Sequence, residues 1–146
     1  MDGCLICERV ALARAGKNPY LIHEFEHSYF VLGDHRYFKG YCLVLLKDHV
    51  RELHELSVGI QQALFQEVMV AGKAVYETFQ PWKMNYSCYG NGEPHVHWHI
   101  FPRYESEPDH HRQPWLHSAE FKDHLVSEVE GGNLIEGIRK RLKGLV

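Results

Sequence analysis

His95-Val96-His97-Trp98-His99-Ile100-Phe101 is the stretch that decides how this chain folds. In an extended strand, successive side chains point to opposite faces. The three histidines therefore share one face, and Val96, Trp98 and Ile100 share the other. The apolar face suits a core, plausibly against a helix. The imidazole face borders a cleft or water, because three stacked imidazoles make a poor core. Imidazole titrates near neutral pH and serves as nucleophile, general acid or base, or metal ligand. The plain alternative is an edge strand whose outward residues happen to be histidine. Against it stands the preceding turn, Gly90-Asn91-Gly92-Glu93-Pro94, which can present backbone N–H groups and a side-chain amide to an anion. Residue types alone leave a metal site and phosphoryl chemistry both open.

Working outward from this strand, Lys83–Tyr89 reads as a neighbouring strand, and Pro102 is expected to close the histidine strand. Further upstream, Ser57 is a good N-cap, and Leu64, Val68, Ala71, Val75 and Phe79 recur at steps of four, three, four and four. That is the apolar stripe of an amphipathic helix, ended by Pro81. Tyr41–Leu46 is a continuous apolar run, expected to be a buried central strand. Tyr20–Phe25 and Ser28–Leu32 read as two short strands, with a turn region over Gly33–Gly40. Leu5–Ala15 reads as a short helix stopped by Gly16 and Pro19. Beyond about residue 104 a polar loop precedes one or two helices, with Gly131-Gly132-Asn133 expected to separate two helical candidates. Mixed elements without a repeating strand-helix-strand pattern indicate an α+β class. One domain over 1–146 is expected, with its core in about 1–104 and a C-terminal extension over about 105–146.

Composition narrows the function. The 146 residues are 45% hydrophobic and 24% charged, which suits a folded core rather than wholesale disorder. A formal net charge of -3 lacks the basic character of a general nucleic-acid binder, so no nucleic-acid partner is expected. No run approaches the roughly 18 apolar residues of a membrane span, and no basic-then-apolar leader is visible, so no membrane association is expected. The expected location is the cytoplasm, where Cys4, Cys7, Cys42 and Cys88 stay reduced. The Cys4-x-x-Cys7 pair then invites a metal or redox role.

The longer run Gly90-Asn91-Gly92-Glu93-Pro94-His95-Val96-His97-Trp98-His99-Ile100-Phe101-Pro102-Arg103-Tyr104 resembles the histidine-triad superfamily of nucleotide hydrolases and transferases, and in particular its bacterial diadenosine polyphosphate hydrolase-like members. The resemblance extends to Cys4-x-x-Cys7, to the Gly40–Leu46 strand with Lys47-Asp48-His49 after it, and to the intervening helix. It fades after about Trp115. It implies an antiparallel sheet of about five strands with helices packed on one side, and a homodimer. It also implies a covalent reaction on a nucleotide substrate. His97 attacks the α-phosphorus, and water then hydrolyses the nucleotidyl-histidine, splitting one hard displacement into two easier ones. His99 is implied to contact phosphate oxygens or the leaving group, His95 to orient its neighbours, and Asn91 to position the phosphate. One nitrogen of His97 must be a free acceptor while the other is held as a donor. Two positions depart from the family pattern. Tyr41 stands where many members carry a histidine, and Gly33 falls where many carry an acidic residue for the ribose, with Asp34 one place away as a ribose candidate or a turn aspartate.

Cys4, Cys7, His49 and His95 form a second constellation, a Cys₂His₂ set by ligand type. Some family members bind zinc through such a set, so a structural zinc is implied here, with no organic cofactor. The alternative is two idle thiols and a surface His49. A thioredoxin-like role is disfavoured because no strand precedes the pair. His110, His111, His117 and His124 read as solvated, and Arg139, Lys140, Arg141 and Lys143 as a solvated helix face. Trp115 is expected over the nucleotide, at a dimer interface, or as an anchor for the tail. Arg103 is expected to reach phosphate or to form a surface ion pair, and Asn85 is structural. The expected activity is hydrolysis of a nucleoside or dinucleoside polyphosphate. The alternatives are a nucleotidyltransferase, a nucleoside phosphoramidate hydrolase, a nucleotide-binding regulatory module, and a zinc-dependent hydrolase with metal in the triad, which the lack of an acidic partner nearby disfavours.

Overall fold

The stripe from Leu64 to Val75 becomes the buried side of α2 (Val58–Phe79), with Leu64, Val68, Ala71, Ala74 and Val75 sealed from solvent. Ser57 caps its start, the hydroxyl accepting from the Ile60 N–H at 3.3 Å. Gln80 ends it in the left-handed conformation at φ 51°, and Pro81 prevents its continuation. The computed structural model describes residues 3–116 and 124–146. The other elements are α1 (Leu5–Arg14), β1 (Leu21–Glu24), β2 (Ser28–Leu32), β3 (Cys42–Leu46), β4 (Lys83–Ser87), β5 (His97–Arg103) and α3 (Glu128–Leu142), with one-turn 3-10 helices at Leu53–Glu55 and Pro114–Leu116. The strands form one antiparallel sheet in the order β1-β2-β3-β5-β4.

This is the expected α+β architecture with a five-stranded antiparallel sheet, but the helices do not all pack on one side, because strand alternation gives both faces apolar residues to cover. Phe30, Leu32, Val44, Leu46 and Ile100 join the cluster that α2 and α3 cover. Tyr29, Val31 and Leu45 point the other way, against Cys4, Ile6, Val10 and Ala13 of the α1 segment. All five residues of β2 are consequently buried. Residues past 104 also feed the main core, since Ile135, Ile138 and Leu142 of α3 lie in the same cluster as Val68 and Val75.

Three local expectations need correction. Gly131-Gly132-Asn133 does not separate two helices; α3 runs straight through it. Ser127 caps the helix, and Ile135, Ile138 and Leu142 hold it to the core, which outweighs the low helix propensity of two glycines. A Cβ at Gly131 would stand 3.2 Å from Val126, so the glycine also relieves a tight approach. The histidine strand begins at His97 rather than His95 and continues through Pro102 to Arg103. Beyond Ile100 it pairs only with β4, so a residue lacking an N–H is tolerated there. Arg139 is not solvated like the rest of its basic run. It donates to the carbonyls of Leu21 and Ile22 at 2.8 and 2.9 Å, on the edge strand β1 where the register is irregular.

Gly33 is fixed by the ring of Tyr41, its partner across the β2–β3 turn: the Gly33 N–H donates to the Tyr41 carbonyl at 2.8 Å, and a Cβ would fall inside the phenol ring. That ring is clamped between Phe101 and His35 and has no room to retreat. Gly33→Ala should therefore destabilise the protein by about 1–3 kcal/mol through overpacking. Urea denaturation should show a lower midpoint with an unchanged slope; an unchanged midpoint would mean that the ring yields freely.

Candidate active site and metal centre

β5 lies between β3 and β4, with His97 opposite Leu45 and His99 opposite Leu43. His97 and His99 therefore project from the face that α1 partly covers, and both line a cleft beneath that helix. Leu5, Ile6, Val31 and Leu43 give it apolar walls, while Arg9, Asp34 and Glu93 bring polar groups to it. An apolar slot with a few polar groups converging on one end is the usual form of a small-molecule site.

Hydrogen bonds hold the two imidazoles in place. His97 is only 6% exposed, and its Nδ1 lies 2.6 Å from the carbonyl oxygen of His95. A carbonyl only accepts, so Nδ1 carries the proton, and Nε2 of the neutral ring is an unprotonated lone pair. His99 packs edge-on to His97, with ring centroids 4.9 Å apart, and its Nδ1 is 2.6 Å from the Tyr41 hydroxyl. Burial, with smaller contributions from His97 and His35, lowers the pKa of His99 to about 3, so it is neutral at physiological pH.

His95 does not share the cleft. It is wholly buried, its Nε2–H donates to the Leu46 carbonyl at 2.7 Å, and its Nδ1 turns towards Cys4, Cys7 and His49. Nδ1 of His95 lies 3.6 Å from the Cys4 sulfur, 3.4 Å from the Cys7 sulfur and 3.2 Å from Nδ1 of His49. The Cys7 sulfur and His49 Nδ1 are 3.2 Å apart, and all four ligand atoms lie within 4.8 Å of one another. A tetrahedral zinc with bonds of about 2.3 Å to sulfur and about 2.0 Å to nitrogen separates its ligand atoms by about 3.3–3.8 Å. The donor set fits zinc, the pairs at 3.2–3.6 Å lie near that separation, and four protein ligands would leave no position for a substrate. Two further features suit a ligand set. The Cys7 N–H donates to the Cys4 sulfur at 3.3 Å, and burial lowers the pKa of His95, favouring the neutral imidazole that a metal requires.

The other residues singled out in the sequence divide. Asp34 reaches the cleft wall, where it pairs with Arg9 at 3.3 Å. Asn91 lies exposed on the turn and does not line the cleft. Arg103 neither reaches the cleft nor forms a surface pair. It is 1% exposed and binds Glu107, Asn85 and the Arg112 carbonyl, because its place on β5 directs it inward over Phe38. Asn85 is structural, as its contact with Arg103 requires. Trp115 packs edge-on to His99 at 4.8 Å and donates to the Ser87 hydroxyl at 3.1 Å. His110 and His111 pack on each other and on Trp82, His124 lies near Tyr37, and His117 lies outside the described residues. Two contributors escaped the sequence. Arg9 carried no local signal, although its place two residues after the cysteine pair fixes it near any metal centre. Tyr41 was visible only as a departure from a pattern.

Gly33 and Tyr41 explain each other. An acidic side chain at position 33, where the resemblance would place one, would collide with the Tyr41 ring, and Asp34 beside it is the carboxylate that reaches the cleft.

Comparison with known proteins agrees with this geometry. Protein hit of Bacillus subtilis is 28% identical over 148 residues, covering 97% of this chain and 95% of that protein. A hypothetical histidine triad nucleotide-binding protein from Sulfolobus tokodaii superposes with a TM-score of 0.75 at 19% identity, covering 95% of this chain and 93% of that one. A zinc-bound histidine triad family protein from Mycobacterium smegmatis gives a TM-score of 0.67 at 19% identity, covering 98% and 95%. The family model described as HIT domain matches residues 16–106, well over half of the chain, and this protein belongs to the HIT domain family.

Proposed function

We propose that this protein is a nucleotide hydrolase that cleaves nucleoside or dinucleoside polyphosphates at the α-phosphorus through a nucleotidyl group carried on His97. The observation that carries this reading is the 2.6 Å contact between His97 Nδ1 and the His95 carbonyl, which leaves Nε2 as a lone pair on a residue that lines an apolar cleft. In this reading the nucleoside lies between Leu5, Ile6, Val31 and Leu43, with Asp34 at the ribose. His97 Nε2 forms a bond to the α-phosphorus as the bond to the leaving phosphate breaks; water then attacks the same phosphorus, the P–Nε2 bond breaks, and the nucleoside monophosphate leaves with the water's proton passing to solvent. His99 stands beside the reacting phosphoryl group as a hydrogen-bond donor. The S. tokodaii relative, described as nucleotide-binding, supports the ligand class.

His97→Ala should lower turnover of diadenosine tetraphosphate by about 10³-fold or more while leaving nucleotide affinity within a few-fold. Brief reaction with labelled substrate and an acid-free denaturing quench should leave the nucleotidyl group on His97. A His97→Ala protein with near-normal kcat, or label on another residue, would overturn the reading. A product screen with diadenosine triphosphate, diadenosine tetraphosphate and adenosine phosphoramidate separates hydrolysis of anhydrides from the phosphoramidate and transferase alternatives.

Cys4, Cys7, His49 and His95 hold a structural zinc in this reading, one that joins α1 to β5 and keeps His95 in place; the zinc-bound M. smegmatis relative supports it. Elemental analysis should find about one zinc per chain. Cys7→Ser should reduce that content and lower the thermal midpoint. Protein purified without chelators and free of metal would refute the assignment.

The protein is further proposed to act as a homodimer. β4 ends the sheet, and Tyr86 on β4, Tyr76 and Phe65 on α2 and Trp82 just before β4 are exposed, so a second copy continuing the sheet would pair an open edge and cover aromatic surface. Sedimentation at micromolar concentration should give about twice the 17.1 kDa chain mass; a monomer throughout would refute this.

A further inference from the structure

Tyr41 is a phenol held in a stack of aromatic and imidazole rings. It is 5% exposed and lies parallel to Phe101 at 4.3 Å and close to parallel to His35 at 4.8 Å. The absent Cβ of Gly33 makes room for it. This packing fixes where the hydroxyl must be, 2.6 Å from Nδ1 of His99. A buried tyrosine hydroxyl requires a partner. Burial and the nearby Asp34 both raise its pKa, so it keeps its proton and has one to donate. An imidazole nitrogen that accepts leaves the ring proton on the other nitrogen. Trp115, edge-on at 4.8 Å, restrains the ring from turning over.

We propose that Tyr41 is a positioning residue that selects the leaving group: its hydroxyl donates to Nδ1 of His99 and holds His99 as the neutral tautomer with Nε2–H presented to the cleft. The inference rests on the reading of His97 as the group that attacks the α-phosphorus. As the His97 Nε2–phosphorus bond forms, the electron pair of the breaking bond stays on the departing atom. A phosphate departs as an anion and needs only the hydrogen bond that His99 Nε2–H gives. An amine must acquire a proton as it leaves, and neutral His99 supplies none without becoming an imidazolate. No proton passes through Tyr41. The arrangement therefore favours phosphoanhydrides over phosphoramidates.

The first test needs no substrate. Long-range ¹H–¹⁵N spectra of the full-length wild-type protein should show His99 protonated on Nε2 and unprotonated on Nδ1. Protonation on Nδ1 overturns the proposal whether or not any variant folds. Tyr41→Phe keeps the ring stack and removes the hydroxyl. It should give mixed His99 tautomers and lower kcat on diadenosine tetraphosphate about tenfold, the loss expected for one indirect hydrogen bond, with KM within about twofold. An unchanged tautomer together with an unchanged kcat overturns the role. Wild-type kcat/KM should favour diadenosine tetraphosphate over adenosine phosphoramidate by about a hundredfold or more, and equal or reversed preference overturns the selectivity. If His97 labelling fails, the nucleotidyl reading falls on that result, while the wild-type tautomer still decides what Tyr41 does to His99.

Discussion

The structure turns on His95, a side chain that never reaches the cleft. Three of its four polar atoms are committed in three directions: Nε2–H to the Leu46 carbonyl, Nδ1 to the cysteine and His49 cluster, and its main-chain oxygen to Nδ1 of His97. A buried polar group without partners is costly, so each of these contacts constrains the other two. The first ties the ring to the end of β3. The second ties it to α1, which forms a wall of the cleft. The third sets which nitrogen of His97 carries a proton. One residue thus couples the wall of the cleft to the protonation pattern of His97.

The face of the sheet that bears the cleft is built by subtraction. α2 and α3 cover the opposite face with a continuous apolar cluster, while α1 is short and covers only the part near Tyr29, Val31 and Leu45. His97 and His99 emerge where that cover ends. Further along, Phe38, Tyr41 and Phe101 form a third small core of aromatic rings that props His99 from behind. The two histidines are therefore supported by different devices: a main-chain carbonyl for His97 and a clamped phenol for His99. Each leaves its outer nitrogen to the cleft, an acceptor on His97 and, in the proposed tautomer, a donor on His99. A displacement at phosphorus calls for that pair, since charge builds on the oxygens while a new bond forms at nitrogen.

Much of this was legible in the sequence because it depends on period. The alternation from His97 to Phe101 marks the two faces of β5, although His95 precedes the strand and turns to the cysteines, and the spacing of Leu64, Val68, Ala71 and Val75 marks the buried side of α2. Pairing the Cys4-x-x-Cys7 unit with His49 and His95 came from ligand type and from the family resemblance, and the four do converge. What escaped were effects of tertiary context. Local glycine content argued for a break in α3, but Ile135, Ile138 and Leu142 override it from across the core. Arg103 reads in the sequence as a phosphate contact or a surface pair, because nothing there shows that Asn85 and the Arg112 carbonyl close around the Arg103–Glu107 pair and bury it. The link between Gly33 and Tyr41 lies across a hairpin, and only three-dimensional overlap shows that the two departures from the family pattern are one.

The central claim is that phosphorus changes partners twice, first to His97 Nε2 and then to water. Each in-line displacement inverts the configuration at phosphorus, so the stereochemical course of hydrolysis counts the steps. Hydrolysis of a substrate with a chiral, isotopically labelled thiophosphoryl group at the α position, in labelled water, should give product with net retention of configuration. Net inversion would mean a single direct attack by water and would contradict the account.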